Sequence, residues 1–387
     1  MGNFMSCSSS QSKQVKKKAF SKRFSSYKDN NNRSSSNRWN NKKEKFSDDS
    51  LLNQQEAIAA ALLFQQQQQQ QNGGAFDRSS SLRYTNTSNK HTLPRSSSSR
   101  ARSISDTILQ PHQLLNQELK IDELETSHFV LVHGGGYGAW CWYKTITLLE
   151  EAGFKVDAID LTGSGIHSCD TNTITTLAQY VNPLIRLLQN LPDAHKVILV
   201  GHDFGGVCIS YAMELFPHKI AKAVFLAASM LTDGQSTLDM FKQSGSNDLM
   251  RQAQVFLYAN GNDHPPTAID LDKSLLRDLL FNQSPAKDVA LASVSMRPIP
   301  FAPVLEKLSL SEGNYGTVRR FYIETAEDEA IPLSIQQNMI NSNPPERVFR
   351  IKGSDHSPFF SKPQALHKHL VEISSIPAVE KCGNSVS

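Results

Sequence analysis

KVILVGHDFGG, residues Lys196 to Gly206, is the stretch that decides the fold. Val197 to Val200 is a continuous apolar, β-branched run of the kind that forms a strand buried on both faces. Gly201-His202-Asp203-Phe204-Gly205 follows at once with the G-x-nucleophile-x-G spacing, and Val207 to Leu215 then reads as a helix. Strand, sharp turn and helix in that order make a nucleophile elbow. Its central residue sits in a strained backbone conformation and its neighbours approach closely, which is why glycines flank it.

The same grammar extends outward in both directions. Upstream, Phe129 to Val132 ends in His133-Gly134-Gly135-Gly136, and Lys155 to Asp160 ends in Thr162-Gly163-Ser164-Gly165. Downstream come Ala223 to Leu226, Arg320 to Ile323 and Val348 to Ile351, with helical stretches such as Thr176 to Leu191 between runs. Short apolar strands alternating with helices imply βαβ units, so the fold class is α/β with a mostly parallel, doubly wound sheet. The rhythm breaks between Ala228 and about Gly316. That stretch is rich in helix formers and turn residues, and it is too long for a simple loop. It reads as a mostly helical cap, about 229–316, inserted over the carboxyl ends of the strands, where open α/β sheets place their sites.

Chemistry-bearing residues fall at those same strand ends. The Gly-rich turn after the first strand is placed to donate a backbone N–H, from Gly135, that completes an oxyanion hole with the N–H of Phe204. Asp328 follows one late strand and His356 follows the next. The chain order nucleophile, acid, histidine is that of α/β-hydrolases. No His, Cys, Asp or Glu set has metal-ligand spacing, so neither a metal nor another cofactor is expected.

FVLVHGGGYGAWCW (129–142), KVILVGHDFGG (196–206), AVFLAA (223–228), TAEDEAIP (325–332) and KGSDHSPFF (352–360) resemble, in this order, the plant methylesterase family. The resemblance covers roughly residues 125 to 378. It implies the α/β-hydrolase fold and hydrolysis of methyl esters of small carboxylic hormones and signals such as salicylate, jasmonate and indole-acetate. Carried over position by position, it puts the nucleophile at residue 203, the oxyanion donors at Gly135 and Phe204, the acid at Asp328 and the base at His356. The related α-hydroxynitrile lyases carry a lysine after the catalytic histidine and a threonine after the first-strand histidine. Ser357 and Gly134 stand there instead, which argues against cyanohydrin cleavage.

The family's usual nucleophile is serine, and here the position is Asp203. A carboxylate has no proton to give His356, is a weak nucleophile toward an ester carbonyl, and would put negative charge beside the oxyanion. Three readings remain open: an ester hydrolase in which His356 activates water directly, an alkylating carboxylate of the epoxide-hydrolase kind, or a binding module that keeps the pocket without the chemistry. The second needs a leaving-group stabiliser, and apart from Tyr315 at its very end the cap stretch offers Tyr258 alone. His133 and His202 read as loop packing, Asp160 as a turn cap, Cys208 as a core thiol, and Trp140 and Trp142 as sheet packing.

The 387 residues conceal two compositions. Residues 1–110 hold 18 Lys/Arg against 7 Asp/Glu, while 111–387 hold 22 against 30, so the overall net charge of +3 is a cancellation. Residues 1–120 are dominated by Ser, Asn, Gln, Lys and Arg, with a glutamine tract at 65–71, and they bury too little apolar surface to offset ordering entropy. They read as a disordered basic leader, with one short helix-forming segment near Leu51 to Phe64. The leader resembles that of the chloroplastic branch of the family and has transit-peptide composition. Its first residues also fit N-myristoylation at Gly2 and palmitoylation at Cys7, with Lys13, Lys16, Lys17 and Lys18 behind them, a pattern for peripheral membrane contact. Both addresses stay open. The basic run lacks aromatic interleaving, so no nucleic-acid partner is expected. Five cysteines in no paired spacing imply a reducing compartment.

Overall fold

Strand β1, His128–Val132, alternates its side chains between two cores. Val130 and Val132 belong to one buried cluster, and Phe129 and Leu131 to the other. A strand apolar on both faces needs a layer on each side, and the chain supplies them. The computed structural model describes residue 121, residues 124–243 and residues 248–377. The leader, its short helix-forming segment, Gly2 and Cys7 lie outside the described residues.

After β1 come helix α1 (Tyr143–Glu151), β2 (Lys155–Ile159), α2 (Leu177–Asn190), β3 (Val197–His202), α3 (Gly205–Leu215) and β4 (Ile220–Leu226). The insert contributes α4 (Thr237–Gln243), α5 (Asp248–Ala253), β5 (Gln254–Leu257), β6 (Ala268–Leu271), α6 (Leu276–Leu280), α7 (Ala286–Ser295), β7 (Ile299–Pro300) and α8 (Phe301–Leu305). The main fold resumes with β8 (Arg319–Thr325), α9 (Leu333–Ser342), β9 (Arg347–Ile351), α10 (Pro358–Ser361) and α11 (Pro363–Ser375). All six apolar runs picked out in the sequence are strands of one parallel sheet, in the order β2-β1-β3-β4-β8-β9. Leu177, Leu184 and Leu188 of α2 and Val207 and Ile209 of α3 cover one face; Leu149 of α1 and Leu366 and Leu370 of α11 cover the other.

The strand order fixes where a site can lie. The chain leaves β1 toward β2, then crosses back to lay β3 on the other side of β1. The carboxyl ends of β1 and β3 therefore flank the topological switch point, where connections diverge and leave a crevice. His133-Gly134-Gly135 leaves β1 at that point and Asp203 leaves β3.

The insert differs from the mostly helical reading in one respect: beside its five helices it builds a three-stranded antiparallel sheet, β5-β6-β7. These strands have two to four residues each and are only partly buried, so none carries the long, fully buried apolar run of the main sheet. Among the described residues no helix is long and apolar enough to cross a membrane.

Candidate active site

Asp203 adopts φ 49°, the left-handed region, at the turn between β3 and α3. Among non-glycine residues aspartate and asparagine enter that region most readily, so the position suits its occupant. The elbow is tight on both sides. A Cβ on Gly205 would stand 2.7 Å from the carbonyl oxygens of Val132 and His133, and one on Gly201 would stand 2.6 Å from the Gly205 carbonyl. The Asp203 carbonyl is itself held by the N–H groups of Gly206 and Ser229, each at 3.0 Å.

The acid and the histidine come from neighbouring strands. Asp328 lies three residues beyond β8, and its carboxylate is saturated: Oδ1 accepts from the N–H groups of Ala330 (2.9 Å) and Ile331 (2.8 Å), and Oδ2 from the Thr325 hydroxyl (2.9 Å) and Gln336 Nε2 (3.3 Å). His356 follows β9, and its Nδ1–H donates to Asp328 Oδ2 at 2.9 Å. That bond fixes the tautomer and turns Nε2 toward Asp203, whose Oδ1 is 3.9 Å away. His356 is buried beside two carboxylates. Burial alone would lower its proton affinity, but the charges of Asp328 and Asp203 outweigh it and raise the imidazole to about 9, so it is cationic at neutral pH.

The Asp203 carboxylate lies against the two N–H groups that the sequence pattern marks as oxyanion donors. The Gly135 N–H donates to its Oδ2 at 2.8 Å, and the Phe204 N–H donates to the same carboxylate. The N-terminus of α3 lies directly behind and adds its favourable dipole. Burial raises the Asp203 carboxyl above its ordinary value, against the opposing pull of the His356 cation and the two N–H groups. The sequence thus brought Asp203, Asp328, His356, Gly135 and Phe204 to one place, but it did not show that the side chain of residue 203 lies against the N–H groups of Gly135 and Phe204.

Further residues brace the site. The His133 Nδ1–H donates to the Gly134 carbonyl (2.7 Å) while its Nε2 accepts from the Leu161 N–H (3.1 Å), and burial lowers its proton affinity to about 4. This neutral imidazole shapes the oxyanion loop. His202 donates from Nε2 to the His356 carbonyl at 2.8 Å, leaving its buried Nδ1 without a partner, and its ring packs 4.6 Å from that of His356. Asp160 accepts from the N–H groups of Ala139 (2.7 Å) and Ile166 (3.1 Å), closing the turns beside the Gly-rich loop. Asp355, which sequence reasoning passed over, accepts from the Ser284 hydroxyl (2.7 Å) and the Gln283 N–H (3.0 Å) through Oδ2, and from the Ser357 N–H (3.0 Å) through Oδ1. It ties the insert to the histidine loop. The one available signal was its place beside His356.

A cavity opens onto Asp203 and His356. Phe204, Phe241, Met250, Leu280, Ile299 and Val304 give it an apolar wall, with Thr237 and Gln254 as its polar points. Tyr258 is not among its lining residues. The carboxylate and the imidazole thus lie at the end of an apolar recess, the usual setting of a small-molecule site. Among the described residues no group of His, Cys, Asp and Glu is arranged to hold a metal ion.

The model of the alpha/beta hydrolase family matches residues 129–368. "Putative methylesterase 11, chloroplastic" of Arabidopsis thaliana is 73% identical over 303 residues, covering 78% of this chain and 78% of that protein. The chain belongs to the alpha/beta hydrolases, within their methylesterases. Two solved structures share its fold. The crystal structure of methylesterase MES16 from Arabidopsis matches with a TM-score of 0.59 and 38% identity, over 65% of this chain and 99% of that one. Tomato methylketone synthase I, complexed with 2-tridecanone, matches with a TM-score of 0.60 and 39% identity, over 64% of this chain and 98% of that one.

Proposed function

We propose that this methylesterase-type hydrolase cleaves methyl esters of small, largely apolar carboxylic acids of the plant-hormone type. One observation carries the reading: an apolar cavity ends on a buried His356–Asp328 pair and a carboxylate held at the oxyanion position. The esterase name of a relative 73% identical supports it. Asp328 orients the imidazole, His356 handles protons, and the N–H groups of Gly135 and Phe204 stabilise developing negative charge. The test offers the purified full chain methyl salicylate, methyl jasmonate and methyl indole-acetate and measures acid release. Release that is lost in His356→Ala supports the proposal. No release from any of the esters overturns it.

A second reading, a ligand-binding homologue without turnover, draws on the filled oxyanion hole. Saturable ester binding without acid release would mark it.

For the compartment we propose the plastid, in keeping with the chloroplastic relative and the transit-like composition of residues 1–120. Fluorescent tagging of that segment, with and without Gly2→Ala, tests it. Membrane-bound signal that depends on Gly2 would support the acylated address instead.

A further inference from the structure

We infer that Asp203 is the nucleophile of this site and attacks the methyl carbon of the ester, not its carbonyl carbon, so that the reaction passes through a methyl ester on Asp203. The inference rests on the ester-hydrolase reading and specifies which bond breaks. It stands on the position of one side chain. Two backbone N–H groups hold the Asp203 carboxylate where a substrate's oxyanion would otherwise sit, with Oδ2 2.8 Å from the Gly135 nitrogen. A substrate carbonyl therefore finds the hole taken, and attack on it would develop negative charge away from those donors. The methyl carbon needs no oxyanion hole. It needs an oriented carboxylate oxygen in an apolar chamber and a cation near the departing group. Asp203 opens on that chamber with its side chain 21% exposed, and the imidazole of His356 stands beside it.

The 3.9 Å between Oδ1 and Nε2 is too long for a hydrogen bond, so both atoms keep their bonding capacity for a substrate that approaches them side by side from the cavity. In the first half-reaction Oδ1 forms a bond to the methyl carbon and the methyl–oxygen bond of the substrate breaks. The electron pair leaves on the product, which departs as the carboxylate while the Nε2 proton of His356 passes to solvent. Methylation removes the charge of Asp203, one of the causes that keep His356 protonated, so the now neutral imidazole is a base at the moment one is required. In the second half-reaction Nε2 takes a proton from water as the water oxygen attacks the Asp203 carbonyl carbon. The oxyanion that forms on Oδ2 lies on the Gly135 N–H. Collapse expels methanol, protonated by His356, and leaves Asp203 as the acid, whose proton returns to Nε2. The sum is ester plus water to acid plus methanol. The oxygen of that methanol comes from Asp203, and the oxygen of the water stays in the protein.

The experiment is a single turnover of the full chain, in excess over methyl ester, in heavy-oxygen water. The expected result is heavy oxygen in the peptide containing Asp203, none in the released acid, and a methyl adduct on Asp203 that accumulates in His356→Gln. Heavy oxygen in the acid, with Asp203 unlabelled, overturns the inference and leaves the ester-hydrolase reading intact. Acid release from no ester, with no adduct in His356→Gln, overturns both. The native chain carries the isotope measurement, so a poorly folded variant does not decide the question.

Discussion

Nε2 of His356 and Oδ1 of Asp203 stand 3.9 Å apart, while the same imidazole holds Asp328 at 2.9 Å through Nδ1. One buried cation thus lies between two carboxylates of unequal character. Asp328 is saturated with backbone and side-chain donors and serves as the fixed partner. Asp203 reaches the cavity and is the one that ligand binding or chemistry can alter. With aspartate in place of serine at the elbow, a second carboxylate adds to Asp328, the larger influence, in holding the imidazole protonated.

The charge state of His356 is directly measurable. Its imidazole should titrate near 9 by proton NMR, and Asp203→Ser should bring that midpoint down, because one of the charges that raise it is gone. A group whose folded value exceeds its unfolded 6.5 adds stability that is fully present below about pH 6.5 and is lost as pH rises through about 9. A displacement of that size corresponds to at most roughly 3 kcal/mol. Denaturant midpoints of the native chain should therefore fall across that window and flatten in Asp203→Ser. A native imidazole that titrates near its ordinary value would remove the basis for the cation.

His133 predicts the opposite window. Burial holds it neutral down to about 4, so its contribution is complete above about pH 6.5 and is lost as pH falls from there toward 4. Protonation costs the acceptor role that Nε2 plays toward the Leu161 N–H, and the Gly134-Gly135 loop loses its brace. His133→Gln keeps a donor and an acceptor but does not titrate. Its stability should decline less steeply than that of the native chain between those limits, on the order of 1–3 kcal/mol less at the acid end. Parallel acid limbs for the two proteins would refute the assignment.

The parallel sheet was legible because a strand buried on both faces must be apolar at every position, and Phe129–Val132 or Val197–Val200 can hardly read as anything else. The insert's strands escaped for the converse reason. Gln254–Leu257 is partly exposed, and Ile299–Pro300 is too short to carry a period. At the site, the order of Asp203, Asp328 and His356 was visible because each follows a strand run. The rotamer that swings Asp203 against the Gly135 N–H was not, since it depends on how near Gly135 comes from a strand almost 70 residues away. Asp355 and Gln336 look like ordinary polar residues until tertiary contacts surround them.

Gln336 shows how much one such residue carries. Its Oε1 accepts from the Thr325 N–H at 3.1 Å, and its Nε2 reaches the Ile331 carbonyl (2.7 Å) and Asp328 Oδ2 (3.3 Å), all in a fully buried setting. Gln336→Leu is close in size but leaves the Thr325 N–H and the Ile331 carbonyl without these partners. The expected loss is about 2–4 kcal/mol in urea unfolding, from two buried groups at roughly 1–3 kcal/mol each with partial relaxation. Ester turnover should drop as the Asp328 loop loosens. A loss within about 0.5 kcal/mol, the range of an ordinary surface change, would show that the loop does not depend on this amide.

Gly205 tests the elbow without touching a titrating group. An alanine Cβ there would meet the carbonyl oxygens of Val132 and His133 at 2.7 Å. Both belong to backbone at the end of β1, where no side-chain rotation can give way. Either β1 or α3 must shift, and overpacking of this kind costs typically ~1–3 kcal/mol. The shift also pulls the Phe204 N–H and the Gly135 loop apart, so Gly205→Ala should lose activity beyond what its stability explains. Gly313→Ala is the matched control, because nothing lies within 4 Å of its Cβ. The two variants should separate clearly in thermal midpoint, with Gly205→Ala lower. Equal midpoints would mean that the close approach of α3 to β1 is not what holds Asp203 in its left-handed turn.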